Sequence, residues 1–445
     1  MLKRILVANR GEIAMRIIRA ASQLNIETVL ICSEEDADTK PVSFATKAVR
    51  IGASSASKSY LNQESIIQTA ISFDCDAIHP GYGFLSENSE FAAKCISNGI
   101  IFIGPTPDVI KLMGDKQSAR KLMNEMGVPT VPGSVDFVNS VIDAKEIAEK
   151  VGYPVLLKAT SGGGGRGMRI VRNSDEMEKA FTTAIAEAIS AFGDGRLYLE
   201  KLILNPRHIE VQILGDSFGN IVHLGERDCS IQRRNQKLIE ESPAYSLDEK
   251  TREEVRNAAL KAARAVGYSS AGTVEFINGQ DGFYFIEMNT RIQVEHPVSE
   301  MVTGVDIVRE QLLIAGGAKL SIRQDDVHIQ GSAIECRINA ENVARSFVPS
   351  PGIISELQFP CGSGVRVESA LISGSRISPW YDSMIAKVIV HAENRCEAIE
   401  KMKTSLAETV IEGVSTNVEF LKKVMDNQEY KNGKVDTSFI NRILK

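Results

Sequence analysis

No apolar run in the chain approaches the ~18 residues that a membrane-spanning helix needs, so no membrane partner is expected. Basic charge is not in excess either. Fifty-one Lys and Arg stand against fifty-seven Asp and Glu, a formal net charge of −6, so a nucleic-acid partner is not expected. The seven cysteines (Cys32, Cys75, Cys95, Cys229, Cys336, Cys361 and Cys396) are odd in number, scattered, and free of any C-x-x-C pair. Most of them read as small buried hydrophobes of a reducing compartment. A strand pattern follows Met1 directly, without the apolar core of a signal peptide, and this predicts a cytoplasmic protein. Two nucleotide signatures are also missing. The first βα turn, Asn9-Arg10-Gly11-Glu12, lacks the glycines of G-x-G-x-x-G, which argues against a nicotinamide or flavin. The Walker A pattern is absent as well.

With 445 residues, 43% of them hydrophobic and 24% charged, the chain is too long for one core and predicts about two to four domains. Residues 3–8 read as a buried strand, Glu12–Ala21 as a helix and Thr28–Cys32 as a second strand, which makes a βαβ unit. The pattern continues with a helix at Glu64–Ser72 and strands at Ala77–His79 and Ile100–Ile103. Between those two strands, HPGYGFLSEN (79–88) gathers an imidazole, Tyr82, Phe84 and Glu87 in one candidate binding loop. A helix is expected over Asp115–Met126, with Asp115 and Lys116 in its first turn, and GVPTVPG (127–133) then marks a boundary or hinge. From about Gly331, strands with turn signals recur and two helices follow. The fold class expected is therefore α/β and α+β multidomain: a Rossmann-like parallel sheet over 1–113, a core over 114–329 with a lid at about 131–203, and a separate, mainly antiparallel α+β module over 330–445.

Inside the lid, PVLLKA (154–159) and Arg169–Val171 read as strands joined by SGGGGRGM (161–168). A structural turn needs one or two glycines, and four in succession are conformationally costly. Such a run lets backbone N–H groups reach a ligand, most often phosphate, and Lys158 and Arg166 bracket it with positive charge. Further on, CSIQRRNQKLIEESP (229–243) collects Gln232, Arg233, Arg234, Asn235, Gln236 and Lys237; it reads equally as a solvated face or as the seat of an anionic substrate.

Residues 273–296 (TVEFINGQDGFYFIEMNTRIQVEH) carry the metal chemistry. Two β-prone runs, Thr273–Ile277 and Phe283–Met288, flank a five-residue connection, Asn278–Gly282, and predict a hairpin. Alternation sets Glu275 on the face opposite Val274 and Phe276, and places Phe283, Phe285 and Glu287 together, with Asn289 just beyond. Two carboxylates and an amide converging in this way suit Mg²⁺. The second strand is apolar on both faces, so a carboxylate within it needs a partner. Arg291, Gln293 and Glu295 follow with period two, lining a cation, an amide and a carboxylate beside the metal.

Taken jointly, KRILVANRGEIA, HPGYGFLSEN, KATSGGGGRGM, ERDCSIQRRNQK, FIEMNTRIQVEHPVSE and WYDSMIAKVI resemble the ATP-grasp enzymes, and specifically the biotin carboxylases, over essentially the whole chain. The resemblance implies an ATP-grasp core between the Rossmann-like and C-terminal domains. It implies ATP-driven activation of bicarbonate to carboxyphosphate, with the carboxyl group then passing to biotin on a carrier protein. That is the first half-reaction of acetyl-CoA carboxylase in fatty acid synthesis. A pyruvate or propionyl-CoA carboxylase subunit is the alternative; another ATP-dependent ligase and a nucleotide sensor without turnover are the competitors.

Carried over residue by residue, the resemblance assigns the nucleotide to Lys116, Lys158, Gly162, Gly163, Gly164, Gly165, Arg166, Gly167, Glu200, Lys201, Ile203, His208, Gln232, Asn235, Glu275 and Glu287. Glu275, Glu287 and Asn289 would hold one or two Mg²⁺ ions, or Mn²⁺. Lys237, Arg291, Gln293 and Val294 would seat bicarbonate. Glu295 would be its base, Arg291 would join the catalytic set, Arg337 would stabilise the biotin enolate, and Tyr82 would lie near biotin. The family often carries histidine where this chain has Asn235, which cannot become cationic. The one Met-Lys candidate for biotinylation, Lys401-Met402-Lys403, sits in a predicted helix, so a carrier protein and carboxyltransferase subunits are the implied partners. A homodimer is expected.

Overall fold

The computed structural model describes residues 2–134, 136–159 and 167–444. Strands β1 (Arg4–Val7), β2 (Glu27–Ser33), β3 (Lys47–Gly52), β4 (Ala77–His79) and β5 (Ile101–Phe102) form an all-parallel sheet in the order β3-β2-β1-β4-β5. A parallel sheet is covered on both faces, and its central strands β1, β2 and β4 are almost wholly buried, while the edge strand β3 is largely exposed. Ile5 and Val7 pack with Ile13 and Ile17 of the helix Gly11–Gln23 on one side. On the other, Leu6 packs with Ile66 and Ile67 of the helix Gln63–Ser72. The turn Asn9–Gly11 is tied to the 79–88 loop, since Asn9 Nδ2 donates to the carbonyls of Pro80 and Tyr82, both at 2.7 Å. Gly81 (φ +62°) lies so close that a Cβ there would stand 2.9 Å from that nitrogen.

The expected Asp115–Met126 helix spans Lys116–Glu125, and Asp115 is its N-cap, accepting from Ser118 N at 2.7 Å. Beyond it lies the lid, a three-stranded antiparallel sheet in the order β7-β6-β8, made of β6 (Val155–Ala159), β7 (Met168–Val171) and β8 (Leu197–Lys201). The helices Val141–Val151 and Ser174–Phe192 cover it. As expected, the glycine-rich loop joins β6 to β7, and Lys158 pairs with Met168 at its base. Its residues Gly162, Gly163, Gly164, Gly165 and Arg166 lie outside the described residues; Gly167 is described, with φ +74°.

The centre is one antiparallel sheet of eight strands. Strands β9 (Arg207–Gly215), β10 (Ile221–Arg233), β11 (Gln236–Ser242), β12 (Ser270–Gly279), β13 (Gly282–Asn289) and β14 (Ser332–Asn339) combine with the strands Val365–Glu368 and Met384–Ala392. The order is β13-β12-β9-β10-β11-β14, then Met384–Ala392, then Val365–Glu368. The module after residue 330 therefore shares its sheet with the core. Its strand β14 pairs with β11, Ile239 opposite Cys336, and the sheet runs through without a break. The segment 129–133 links lid to sheet: Phe285 N donates to Pro129 O at 2.7 Å, and Gly133 bridges to Glu200. The helices His296–Thr303 and Ile307–Ala315 follow the hairpin. Among the described residues no helix is long and apolar enough to cross a membrane.

The hairpin departs from its expected form twice. Its connection is two residues, because β12 runs to Gly279 and Gly279 pairs with Gly282. A bulge then intervenes: Phe276 pairs with Phe285 but Glu275 with Glu287, so Ile286 is the extra residue. Strict alternation would have sent Glu287 into the core with Phe283 and Phe285. The bulge restores Met288 to that core and turns Glu287 to the face of Glu275.

Phe276 is fully buried there, its ring edge-on to Phe283 and Phe285 at centroid separations of 5.5 and 6.4 Å. Phe276→Ala should lower the stability of the central unit by about 3–5 kcal/mol, measured by chemical denaturation.

Candidate active site

The register of the central sheet produces one row of charges across four strands. Glu287 on β13 faces Glu275 on β12, Glu275 faces Glu210 on β9, and Glu210 faces Arg227 on β10. Like charges directly opposite one another destabilise a sheet, and Glu210 and Glu275 are buried as well. The row therefore exists only with its cations. Lys237, from β11, places Nζ 2.5 Å from Glu210, 3.0 Å from Glu275 and 2.6 Å from Glu295, so each ammonium hydrogen meets a carboxylate. Arg227, with no exposed side-chain surface, donates from Nε to Glu210 at 2.5 Å and through its terminal nitrogens to Gln212, Ser299, Thr273 and Gln293.

The titration of the row follows from these contacts. Burial alone would raise the Glu210 and Glu275 carboxyls, but Arg227 and Lys237 hold Glu210, and Lys237 and His208 hold Glu275, well below the usual range. His208 Nε2 lies 3.1 Å from Glu275 Oε2; burial lowers the imidazole, yet Glu275 outweighs it and raises the group to about 9. Asn289 Nδ2 and Gln293 Nε2 donate to Glu275 Oε1 at 2.9 and 2.8 Å. Lys116 Nζ stands 3.0 Å from the partly exposed Glu287. Two carboxylates opposed on neighbouring strands beside an amide oxygen are a donor set that fits Mg²⁺.

Residues 290–295 do not continue as a period-two strand; they form an irregular turn into the helix His296–Thr303. The turn still delivers Gln293 and Glu295 to the buried cluster. Arg291 points instead toward the 79–88 loop, with Nε 2.9 Å from Glu87 and a terminal nitrogen 2.9 Å from Asn289 Oδ1. Glu295 Oε2 accepts from Arg337 at 2.8 Å, and this brings the third module into the site. Val294 presents its carbonyl to Lys387 Nζ at 2.7 Å. Lys387 also pairs with Glu12, to which the Tyr82 hydroxyl donates. Tyr82 thus joins the cluster from the parallel-sheet domain.

Toward the lid, Glu200 carries Lys158 on one oxygen and Arg120, at 3.2 Å, on the other. Lys201 turns away, donating to the Gly152 and Tyr153 carbonyls at 2.7 and 3.2 Å. Ile203 packs on the hairpin end, where a Cβ on Gly279 would come within 2.5 Å of it. The polar run 232–237 divides. Gln232 is buried and donates to Cys229 O at 2.9 Å, Lys237 points inward, and Arg233 stacks on Phe347. Arg234 and Asn235, both at positive φ (50° and 64°), form the exposed β10–β11 turn. Asparagine tolerates that backbone well, so its place there has a conformational cause.

Family models match the chain in three consecutive stretches: the biotin carboxylase N-terminal domain over residues 1–110, the carbamoyl-phosphate synthase L chain ATP-binding domain over 115–323, and the biotin carboxylase C-terminal domain over 335–442. A biotin carboxylase of Nostoc sp. is 52% identical over 443 residues, 99% of each chain. The chain belongs to the biotin carboxylase family. Among solved structures, a Campylobacter jejuni biotin carboxylase–β,γ-ATP complex matches with TM-score 0.95 at 49% identity, covering 99% of each chain. The biotin carboxylase domain dimer of Hydrogenobacter thermophilus 2-oxoglutarate carboxylase, solved with MgADP, ADP and bicarbonate, matches with TM-score 0.93 at 50% identity, covering 99% of this chain and 98% of that one.

Four groups at the centre of this biotin carboxylase were not singled out from the sequence: Glu210, Arg227, Arg120 and Lys387. What marks Glu210 is its register opposite both Glu275 and Arg227.

Lys237→Gln should cost about 3–5 kcal/mol at neutral pH, since it strips a buried cation from three buried carboxylates. The sign with pH is definite. In the variant those carboxyls titrate higher when folded than unfolded, so stability falls as pH rises above the unfolded range near ~4.3. Denaturation at two pH values should show a larger deficit at the higher one; a deficit independent of pH would contradict this.

Proposed function

We propose that this biotin carboxylase serves as the subunit that opens the acetyl-CoA carboxylase reaction, on the way to malonyl-CoA. Its working arrangement would be a dimer in the cytoplasm with a biotin carboxyl carrier protein and carboxyltransferase subunits as partners. A dimeric relative supports the dimer. That same relative, part of a 2-oxoglutarate carboxylase, favours a keto-acid carboxylase subunit as the second reading. The chemistry of this chain is the same in both, because the two differ only in which acceptor later takes the carboxyl group. Three parts share the work: residues 1–113, 114–329 with the lid near 131–203, and 330–445.

The observation that carries the residue roles is the contact of Glu295 with both Lys237 and Arg337. Burial would raise the Glu295 carboxyl, but Lys237 and Arg337 lower it against that pull, so it is ionised at neutral pH and able to take a proton from bicarbonate. Lys237, Arg291, Gln293 and the Val294 backbone would seat the anion beside it. The deprotonated bicarbonate oxygen would then attack the γ-phosphorus of ATP, with ADP leaving. Lys116, Lys158 and the glycine-rich loop would hold the phosphates. Glu200, the Lys201 backbone, Ile203, His208, Gln232 and Asn235 would line the nucleoside. Glu275, Glu287 and Asn289 would hold Mg²⁺, which when bound neutralises charge on the phosphates. Arg337, a guanidinium charged at every working pH, would stabilise the biotin enolate oxygen, with Tyr82 on the biotin side.

Two variants separate the steps. Arg337→Ala should suppress carboxylation of free biotin by ~10²–10³-fold while bicarbonate-dependent ATP hydrolysis survives. Glu295→Gln should suppress the bicarbonate-dependent hydrolysis itself. Loss of both activities together in Arg337→Ala would remove that residue from its assigned role, and unchanged hydrolysis in Glu295→Gln would do the same for the base.

A further inference from the structure

Arg337 is held by two carboxylates, and only Glu295 has a part in the chemistry above. The other is Glu240 on β11, without exposed surface, whose Oε1 accepts from Arg337 Nε and a terminal nitrogen, each at 2.6 Å. A third acid lies beside them. Glu335 is the register partner of Glu240 across β11 and β14, and it stands two residues before Arg337 on the same face of its strand. The opposite face carries Ile239, Ile334, Cys336 and Ile338 into an apolar core, so the charged face cannot turn outward. Both Glu335 oxygens and Glu240 Oε2 have no hydrogen-bond partner among the described residues.

Two buried carboxyls on adjacent strands beside one guanidinium do not both ionise cheaply. Burial pushes Glu240 up to about 7 against the pull of Arg337, and pushes Glu335 well above the usual range. The other groups around the pair are accounted for. Glu295 and Lys237 face it from the site, and Lys387 lies opposite Arg337 on the neighbouring strand. The Cys229 and Cys336 thiols are pushed up by burial and are neutral. From the helix His296–Thr303, His296 is kept neutral by burial and nearby cations, and Glu300 is occupied by Arg16 and Arg366.

We propose that Glu240 is the positioning residue that seats Arg337 for the transfer of the carboxyl group to biotin, with Glu335 held beside it as a neutral acid. The proposal rests on the reading of Arg337 as the group that meets the biotin enolate. One negative charge on Glu240 fixes the guanidinium on its Nε side and leaves a terminal nitrogen at Glu295, where an oxyanion can approach. A second charge, on Glu335, would repel that oxyanion and draw Arg337 back. As pH rises through about 7, ionisation of Glu240 completes the seat. Loss of the Glu335 proton, at higher pH, undoes it.

The test follows both half-reactions of the full-length enzyme across pH: carboxylation of free biotin, and bicarbonate-dependent ATP hydrolysis without biotin. Glu240→Gln should lower biotin carboxylation by ~10²-fold and abolish its rise through neutral pH, while ATP hydrolysis stays within about twofold of wild type. Glu335→Gln, fixed in the neutral form, should move the alkaline fall of biotin carboxylation to higher pH. Arg337→Ala, run alongside, separates the two claims. If it loses biotin carboxylation while Glu240→Gln keeps it, the positioning role is wrong and the reading of Arg337 stands. If Arg337→Ala itself keeps biotin carboxylation, the reading of Arg337 fails first. Equal loss of both half-reactions in Glu240→Gln, or an alkaline limb unmoved in Glu335→Gln, overturns the proposal.

Discussion

Three carboxylates lie next to one another across adjacent strands of the central sheet, and this arrangement is unfavourable without the ammonium of Lys237. Glu275 and Glu210 are there because register puts them there. Lys237 and Arg227 make them tolerable, and in doing so bring β9, β10, β11 and β12 to one point. Glu295 joins through the same ammonium. The cluster is the polar core of the sheet and the proposed floor of the active site, and what would fix a base beside a metal set also fixes four strands.

Continuity of the sheet past residue 330 matters for the same reason. Because β14 pairs with β11, Arg337 and Glu335 emerge on the face that already carries Glu240. A residue from the third module therefore reaches Glu295 with rigid backbone behind it rather than by the docking of an independent domain. The parallel-sheet domain enters by side-chain contacts: Glu87 on Arg291, and Glu12 on Lys387. The lid is attached more lightly, through the segment that bonds Phe285 at one end and Glu200 at the other. That suits the lid role proposed for it.

Much of this was legible in the sequence. Glu275 could be read from alternation against Val274 and Phe276, and the joint motifs pointed to the family that the full-length comparisons establish. Glu287 was set beside Glu275 for an incomplete reason: its strand is apolar on both faces, so nothing in the pattern marks the bulge at Ile286 that turns the carboxylate to the face of Glu275. The polar run 232–237 hid its one buried cation, since a tight turn with Arg234 and Asn235 at positive φ separates Arg233 from Lys237, and turn geometry decides which side chain points inward. Glu210 opposite Glu275, Glu240 opposite Glu335 and Lys387 opposite Arg337 depend on pairing between strands distant in sequence, which no local pattern encodes. That the module after residue 330 shares the central sheet was illegible for that reason too: its strands look like a new sheet until their partner is known.

The central claim is that one site couples ATP cleavage to bicarbonate and biotin through this cluster. The most direct measurement is ATP hydrolysis by the wild-type chain with Mg²⁺, with and without bicarbonate and free biotin. Hydrolysis that needs bicarbonate and rises when biotin is added is the result the account predicts. Hydrolysis at the same rate under all four conditions would contradict it.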